Sequence, residues 1–288
     1  MAEISIIIPA YNAEKHIKET LLSVLNQTYK DFQIILVDDG SIDNTFQIAD
    51  SILNPPHRII QKKNGGEASA RNVGLKICDS RYICFLDSDD LFTPNKLDIQ
   101  KKFLDNNSQF GMVYAKHNYI IDGNNLSKWR NWNFKESNNG SGDIFIKQFI
   151  ENKICIITTL IRRECFDRAG YFDESIPYAS DSDMWIRISA NYKIGYIDEV
   201  LAYYRLHNTN VSLDRETCLL HRIASMNKNY TQFYDRVKDN SDIKKSIRDL
   251  YYRLIKLYIK NREFKKAKEY FVDYWKRFIF NTSLKFEK

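Results

Sequence analysis

Three carboxylates, Asp87, Asp89 and Asp90, stand within four positions directly after the apolar run Tyr82-Ile83-Cys84-Phe85-Leu86. A buried strand ending in such a cluster meets mutual repulsion and the cost of desolvating charge. A divalent cation removes that repulsion, and an Asp-x-Asp spacing presents oxygens to a hard metal from one turn. A second apolar run, Phe32 to Val37, ends in the same way, at Asp38-Asp39-Gly40-Ser41. These residue types also favour a plain turn or helix cap, and that reading stands beside the first. Two acidic strand ends at one sheet edge would make a cleft able to hold a cation and a polar ligand. Arg71 lies in the first turn of a helix after Asn64-Gly65-Gly66. There a cation and backbone N–H groups freed by glycine suit a diphosphate.

These residues need strands that end level with one another. Ile4–Ile8, Phe32–Val37, Arg58–Gln61 and Tyr82–Leu86 read as strands. Between them, Ile17, Leu21, Val24 and Leu25 fall on one face of a helix, and helical patterns follow at Thr45–Leu53 and Glu67–Ile77. Thr93-Pro94 has the form of an N-cap and first helical residue. The βαβα order predicts a largely parallel sheet covered on both faces. Beyond it, Met112–Ile121 and Ile154–Ile161 read as strands, Met184–Ala190 as helix, and Ile194–Leu206 as a strand or hairpin. Residues 123–142, rich in Asn, Gly and Ser yet holding Trp129, Trp132 and Phe134, read as a loop with aromatic contacts. From Leu219 the pattern is helical, with a break near Asp239-Asn240-Ser241 and a helix–turn–helix link at 261–264.

A chain of 288 residues can bury a substantial core. No run of about eighteen apolar residues is present, and Met1 leads straight into a strand pattern without a leader, which favours a cytoplasmic protein. Five cysteines without C-x-x-C spacing read as reduced core residues, neither disulfides nor a zinc site. The net charge of +6 is uneven: Lys244 to Lys288 holds fourteen Lys/Arg against five Asp/Glu, leaving the rest slightly acidic.

Ile-Ile-Ile-Pro-Ala-Tyr-Asn at 6–12, Asn26-Gln27-Thr28, Val-Asp-Asp-Gly-Ser at 37–41, Asn64-Gly65-Gly66, Ala70-Arg71-Asn72 and Phe-Leu-Asp-Ser-Asp-Asp at 85–90 occur in order. Gly170-Tyr171-Phe172-Asp173-Glu174, Asp181-Ser182-Asp183-Met184-Trp185 and Tyr204-Arg205-Leu206-His207 continue the series. Together they resemble the bacterial GT-A glycosyltransferases of family two, over roughly residues 3–212. The resemblance implies an α/β fold with a mixed, mostly parallel sheet flanked by helices, and a helical C-terminal extension outside the match. It implies a catalytic domain over 1–215, with a nucleotide-sugar half at 1–110 and an acceptor half at 111–215, then a basic helical region at 216–288.

By the same resemblance Pro9, Ala10 and Tyr11 line a base pocket, Asp38 or Asp39 pairs with the uracil N–H, and Gly65, Arg71 and Ser88 help hold the nucleotide-sugar. Asp87 contacts the ribose or a metal-bound water, and Asp89 binds the metal, Mn2+ or Mg2+. His207 matches a position that in some relatives reaches the metal or diphosphate; a packing role is the other reading. Family members carry a Glu-Asp pair before an apolar helix, with the Asp as base. Here the pair is Ser180-Asp181. Asp181 is the expected general base; Asp183, the rival, also suits a helix first turn for electrostatic reasons.

The implied activity is inverting transfer of a hexose or N-acetylhexosamine from a UDP-sugar to a glycan or lipid-linked acceptor, in bacterial surface polysaccharide assembly. The C-terminal aromatics, among them Tyr258, Phe271, Trp275 and Phe280, interleave with lysines and arginines. Such helices can lie on an anionic membrane, or pack their rings onto the catalytic domain. No nucleic-acid recognition motif is present. A nucleotidyltransferase or a hydride-transferring Rossmann enzyme would carry a Gly-rich loop where this chain has Pro9-Ala10-Tyr11-Asn12. An inactive nucleotide-sugar-binding or scaffold protein of the same fold remains the alternative.

Overall fold

The computed structural model describes residues 2–121, 140–208 and 210–278. The aromatic stretch holding Trp129, Trp132 and Phe134, and Phe280, lie outside the described residues. Four parallel strands open the chain: β1 (Ile4–Ala10), β2 (Phe32–Asp38), β3 (Arg58–Gln61) and β4 (Tyr82–Phe85). They are linked by α1 (Ile17–Leu25), α2 (Thr45–Ile52) and α3 (Glu67–Ile77). Every residue of β1, β2 and β4 is buried, which is why these segments read as mostly apolar runs instead of alternating ones, with Ser5 and Gln33 the buried polar exceptions inside them.

The short β5 (Leu91–Phe92) and α4 (Lys96–Asn106) lead to the long β6 (Phe110–Ile121). Then come α5 (Phe145–Ile150), β7 (Leu160–Arg162), α6 (Arg163–Ala169), α7 (Ser180–Ser189) and β8 (Lys193–Leu206). The sheet runs β3-β2-β1-β4-β7-β6-β8-β5, with β6 parallel to β8 and β7 and β5 antiparallel to their neighbours. The expected mixed, mostly parallel sheet is therefore observed.

Two local expectations are corrected. Thr93 does not cap α4, which starts at Lys96; its N–H and hydroxyl both bond Leu201 O, drawing Thr93-Pro94 into the β5–β8 pairing. Ile154–Ile161 is not one strand. A 3-10 turn at Ile156–Thr158 replaces it, because the Thr158 and Thr159 hydroxyls bond back to Cys155 O at 2.7 Å and Ile156 O at 2.8 Å. Of the two readings for 194–206, a strand or a hairpin, the structure has the strand, a single bulged one paired along β6, and Met184–Ser189 lies on a helix that starts at Ser180.

Gly74 lets α3 close on the sheet. A Cβ there would stand 2.5 Å from Ile7 Cγ2. Gly74→Ala should therefore lower stability by about 1–3 kcal/mol, because overpacking outweighs the gain in helix propensity. The urea midpoint checks this, and an unchanged or raised midpoint would mean that Ile7 moves aside.

The C-terminal helices are α8 (Arg215–Gln232), α9 (Tyr234–Val237), α10 (Ser241–Lys260) and α11 (Phe264–Phe278). Asp214 caps α8 through Thr217 N, and Asn240 caps α10 through Ile243 N, which accounts for the break read at 239–241. Their core includes Phe145, Phe149 and Ile186, so the layer is built onto α5 and α7. Tyr258, Tyr270 and Tyr274 pack inward, whereas Phe271 and Trp275 face outward. Among the described residues no helix is long and apolar enough to cross a membrane. All five cysteines are free; Cys78, Cys84 and Cys165 are buried, while Cys155 and Cys218 are only partly so.

Candidate active site

Register brings the acidic ends together. Ala10 pairs with Asp38 across β1 and β2, and Leu86 N bonds Ile7 O, so Asp87 leaves β4 beside the end of β1. The resulting cavity of about 480 Å³ opens at the carboxyl edge of the sheet. Pro9, Ala10, Tyr11, Asp39, Asp87, Ser88, Asp89 and His207 all face it. Asp38, Gly65, Arg71 and Asp181 do not form its wall, although each lies next to a residue or element that does.

The two aspartates of the β2 end have different tasks. Asp38 is fully buried and accepts Ser41 N at 2.9 Å and Gln61 Nε2 at 3.2 Å, so it shapes the turn and ties it to β3. Asp39 takes the N–H groups of Gly65 at 3.0 Å and Gly66 at 2.7 Å, together with the Lys62 ammonium. The glycine N–H groups expected to be free for a diphosphate are thus already held by a carboxylate of the chain itself.

Arg71 is also enlisted locally. Its guanidinium pairs with Glu67 and, at 2.7 Å, with Asp87 Oδ1, and lies 5.7 Å from the Phe172 ring centre. Burial, then repulsion from Asp87, pushes the Glu67 carboxyl up to about 8 in spite of Arg71. Glu67 belongs to the cavity wall and carried no signal in the sequence beyond its place at a helix start. Asn72, next in the chain, bonds Phe172 O and Glu174 Oε1, which joins the Ala-Arg-Asn and Gly-Tyr-Phe-Asp-Glu motifs.

Asp89 Oδ2 lies 2.6 Å from His207 Nε2, and the His207 ring stacks on His16. Among the described residues no three His, Cys, Asp or Glu side chains gather into a cage. The Asp89–His207 pair nevertheless offers an oxygen and an imidazole nitrogen at the cavity, donor chemistry that would suit a divalent ion. Asp90 is buried and accepts Arg205 N at 2.7 Å. Burial, then repulsion from Asp89 and Asp87, holds its carboxyl well above the usual range.

Arg205 is the main residue that sequence reading passed over. Its Nε donates to Asp89 O at 2.7 Å and its guanidinium pairs with Glu19 at 2.6 Å. Arg205 and His207 sit two apart in extended chain and therefore face the same side, a signal present in Tyr204-Arg205-Leu206-His207 but readable only once its partner is known.

Asp181 lies in the first turn of α7, just after Pro177 and Tyr178 of the cavity wall. Burial raises its carboxyl above the ordinary range; Ser182 N, the Arg71 and Arg222 charges and Asn152 oppose that rise. Asp183 is sealed instead. It accepts Arg187 Nε at 2.9 Å and Asn229 Nδ2 at 2.7 Å, with the Lys228 ammonium 3.2 Å away. It anchors α7 to α8.

Residues 5–193 match the family described as "Glycosyl transferase family 2". The chain belongs to glycosyltransferase family 2. An "Uncharacterized glycosyltransferase RC0461" of Rickettsia conorii is 35% identical over 215 residues, which is 74% of this chain and 34% of that protein. The chain thus spans about a third of that relative's length. A family member of Escherichia coli, "UDP-Glc:alpha-D-GlcNAc-diphosphoundecaprenol beta-1,3-glucosyltransferase WfaP", is 36% identical over 226 residues, covering 75% of this chain and 82% of the other. The fold matches S. aureus TarS 1–349 in complex with UDP-GlcNAc with a TM-score of 0.64 at 19% identity, over 95% of this chain and 89% of that one. The family-two GT-A architecture expected from the motifs is therefore that of this chain.

Proposed function

We propose that this family-two enzyme is an inverting, metal-dependent glycosyltransferase that moves a hexose or N-acetylhexosamine from a UDP-sugar to a hydroxyl of a lipid-linked glycan. The observation that carries the reading is the strand-end cavity. Asp87, Asp89 and His207 line it together with Pro177 and Tyr178, and Asp181 follows those two at the start of α7. The E. coli relative's named donor and acceptor support the substrate class.

In this reading Pro9, Ala10 and Tyr11 contact the base, Asp39 keeps its loop in place beside the uracil, and Asp87, steadied by Arg71, faces the ribose. Asp38, Gly65 and Arg71 act by shaping that wall; Ser88 faces the diphosphate. Mn2+ or Mg2+ held by Asp89 and His207 would offset the charge that develops on the departing diphosphate. Asp181 takes the proton from the acceptor hydroxyl as its oxygen attacks the anomeric carbon and the bond to UDP breaks. Burial raises its carboxyl, which strengthens it as a base, and the Arg71 and Arg222 charges oppose that rise. The place of work is the cytoplasmic face of the membrane, with the outward rings of α11 resting on anionic lipid.

The test is UDP release across a panel of UDP- and dTDP-sugars with a lipid-linked acceptor, with and without EDTA. One UDP-sugar should stand out, and chelation should abolish release until Mn2+ or Mg2+ is restored. Full activity in EDTA would remove the metal from the mechanism; no turnover with any donor would favour a binding or scaffold protein.

A further inference from the structure

A second concave site of about 480 Å³ lies between α8 and α10. Arg215, Cys218, Leu219 and Arg222 face it at i, i+3, i+4 and i+7 on α8, and Arg253, Lys256, Leu257 and Lys260 repeat that spacing on α10. Five cations converge there and no carboxylate lines the groove. Of the nearby acids, Asp214 caps α8, Glu216 bonds the Tyr258 hydroxyl and Lys266, and Asp181, Asp183 and Glu151 act on Arg222 alone among the five. Among the described residues Arg215, Arg253, Lys256 and Lys260 make no hydrogen bond or ion pair. Like charges brought together in this way repel unless an anion joins them.

Between the cations the groove offers hydrocarbon, from Leu219, Leu250 and Leu257. The ligand it suits therefore carries a phosphate-type anion attached to an apolar chain. Position narrows this further. Ser212 lines the groove while its neighbour Val211 lines the donor cavity, and Arg222 donates to the Ser182 hydroxyl beside Asp181 and to Phe149 O at 3.0 Å. A ligand lying in the groove would have its polar end directed at the reacting region.

We infer that the α8–α10 groove binds the lipid diphosphate of the acceptor, with the cations on the diphosphate and the leucines along the first units of the chain. The inference rests on the glycosyl-transfer reading above and assigns that reading's acceptor an address. A shaped groove whose Ser212 adjoins Val211 of the donor cavity fits one molecule of substrate better than a bilayer surface, for which the exposed Phe271 and Trp275 of α11 are the better candidates.

The test uses the full chain with saturating UDP and Mn2+, so that the donor cavity is filled, and measures binding of farnesyl diphosphate, inorganic pyrophosphate and farnesol. Farnesyl diphosphate should bind at least about tenfold more tightly than either fragment. The double variant Arg253→Ser/Lys256→Ser alters two exposed side chains, should keep the wild-type melting temperature and UDP affinity, and should bind farnesyl diphosphate about tenfold more weakly. Unchanged affinity in the double variant, or pyrophosphate binding as tightly as farnesyl diphosphate, would overturn the inference. So would a double variant that loses co-sedimentation with phosphatidylglycerol vesicles yet keeps its farnesyl diphosphate affinity; the groove would then serve the membrane. Failure to bind UDP would count against the glycosyl-transfer reading separately, since the groove is judged on farnesyl diphosphate alone.

Discussion

Asp181→Asn is expected to lower kcat by about 10²–10⁴-fold, the usual contribution of a positioned general base, while UDP-sugar affinity stays within about twofold of wild type. The asparagine keeps the size of the side chain and its one oxygen can still accept from Ser182 N, losing only the 3.3 Å contact from Asn152 Nδ2, so the fold should be little disturbed. What it removes is the only function that the carboxylate has in the proposal, taking a proton. Burial raises the Asp181 carboxyl, so the acidic limb of the wild-type kcat/KM profile should lie above about 3.9, the value of a free aspartate, with activity rising as the group ionises. That limb should vanish in Asp181→Asn. Near-normal turnover in the variant would show that another group accepts the proton.

Asp183→Ala, two residues on, should fail in a different way. The carboxylate is fully buried and meets Arg187, Lys228 and Asn229, so its removal leaves the buried Arg187 guanidinium without its carboxylate, while Lys228 keeps Asp173. Breaking a buried pair of this kind costs about 3–5 kcal/mol. A urea midpoint that falls by that amount, with catalysis per folded molecule close to wild type at low temperature, is the expected result. A stable Asp183→Ala protein with no turnover would reverse the roles assigned to these two aspartates. The pair is therefore a direct comparison between chemistry and packing within one helical turn.

Much of the donor side was legible because parallel strands buried on both faces must be mostly apolar, so β1, β2 and β4 and their acidic ends stand out. Gly66, at φ +86°, likewise signals the loop before α3. The individual duties of those acids were not legible. Asp39 holds Gly65 and Gly66, and Asp38 holds Ser41 and Gln61, contacts that span up to 27 residues of chain. The 3-10 turn at 156–158 arises from two threonine hydroxyls that compete with the sheet, which β propensity alone does not register. Short elements such as β5 and α5 carry too few residues for a periodic pattern. Asn152 and Arg222, which flank Asp181 and Ser182, come from segments 29 and 40 residues away, where only the folded chain makes them neighbours.

The clasp of β8 on the acidic turn has a practical consequence for engineering. Arg205 and His207 reach Asp89, and Arg205 N reaches Asp90, across 115 or more residues of chain. Exchanging only the first 110 residues between family members would part the turn from the strand that shapes it. A hybrid with altered donor choice would have to bring its own β8 end, so donor preference in this scaffold should be inherited through two distant stretches of sequence together.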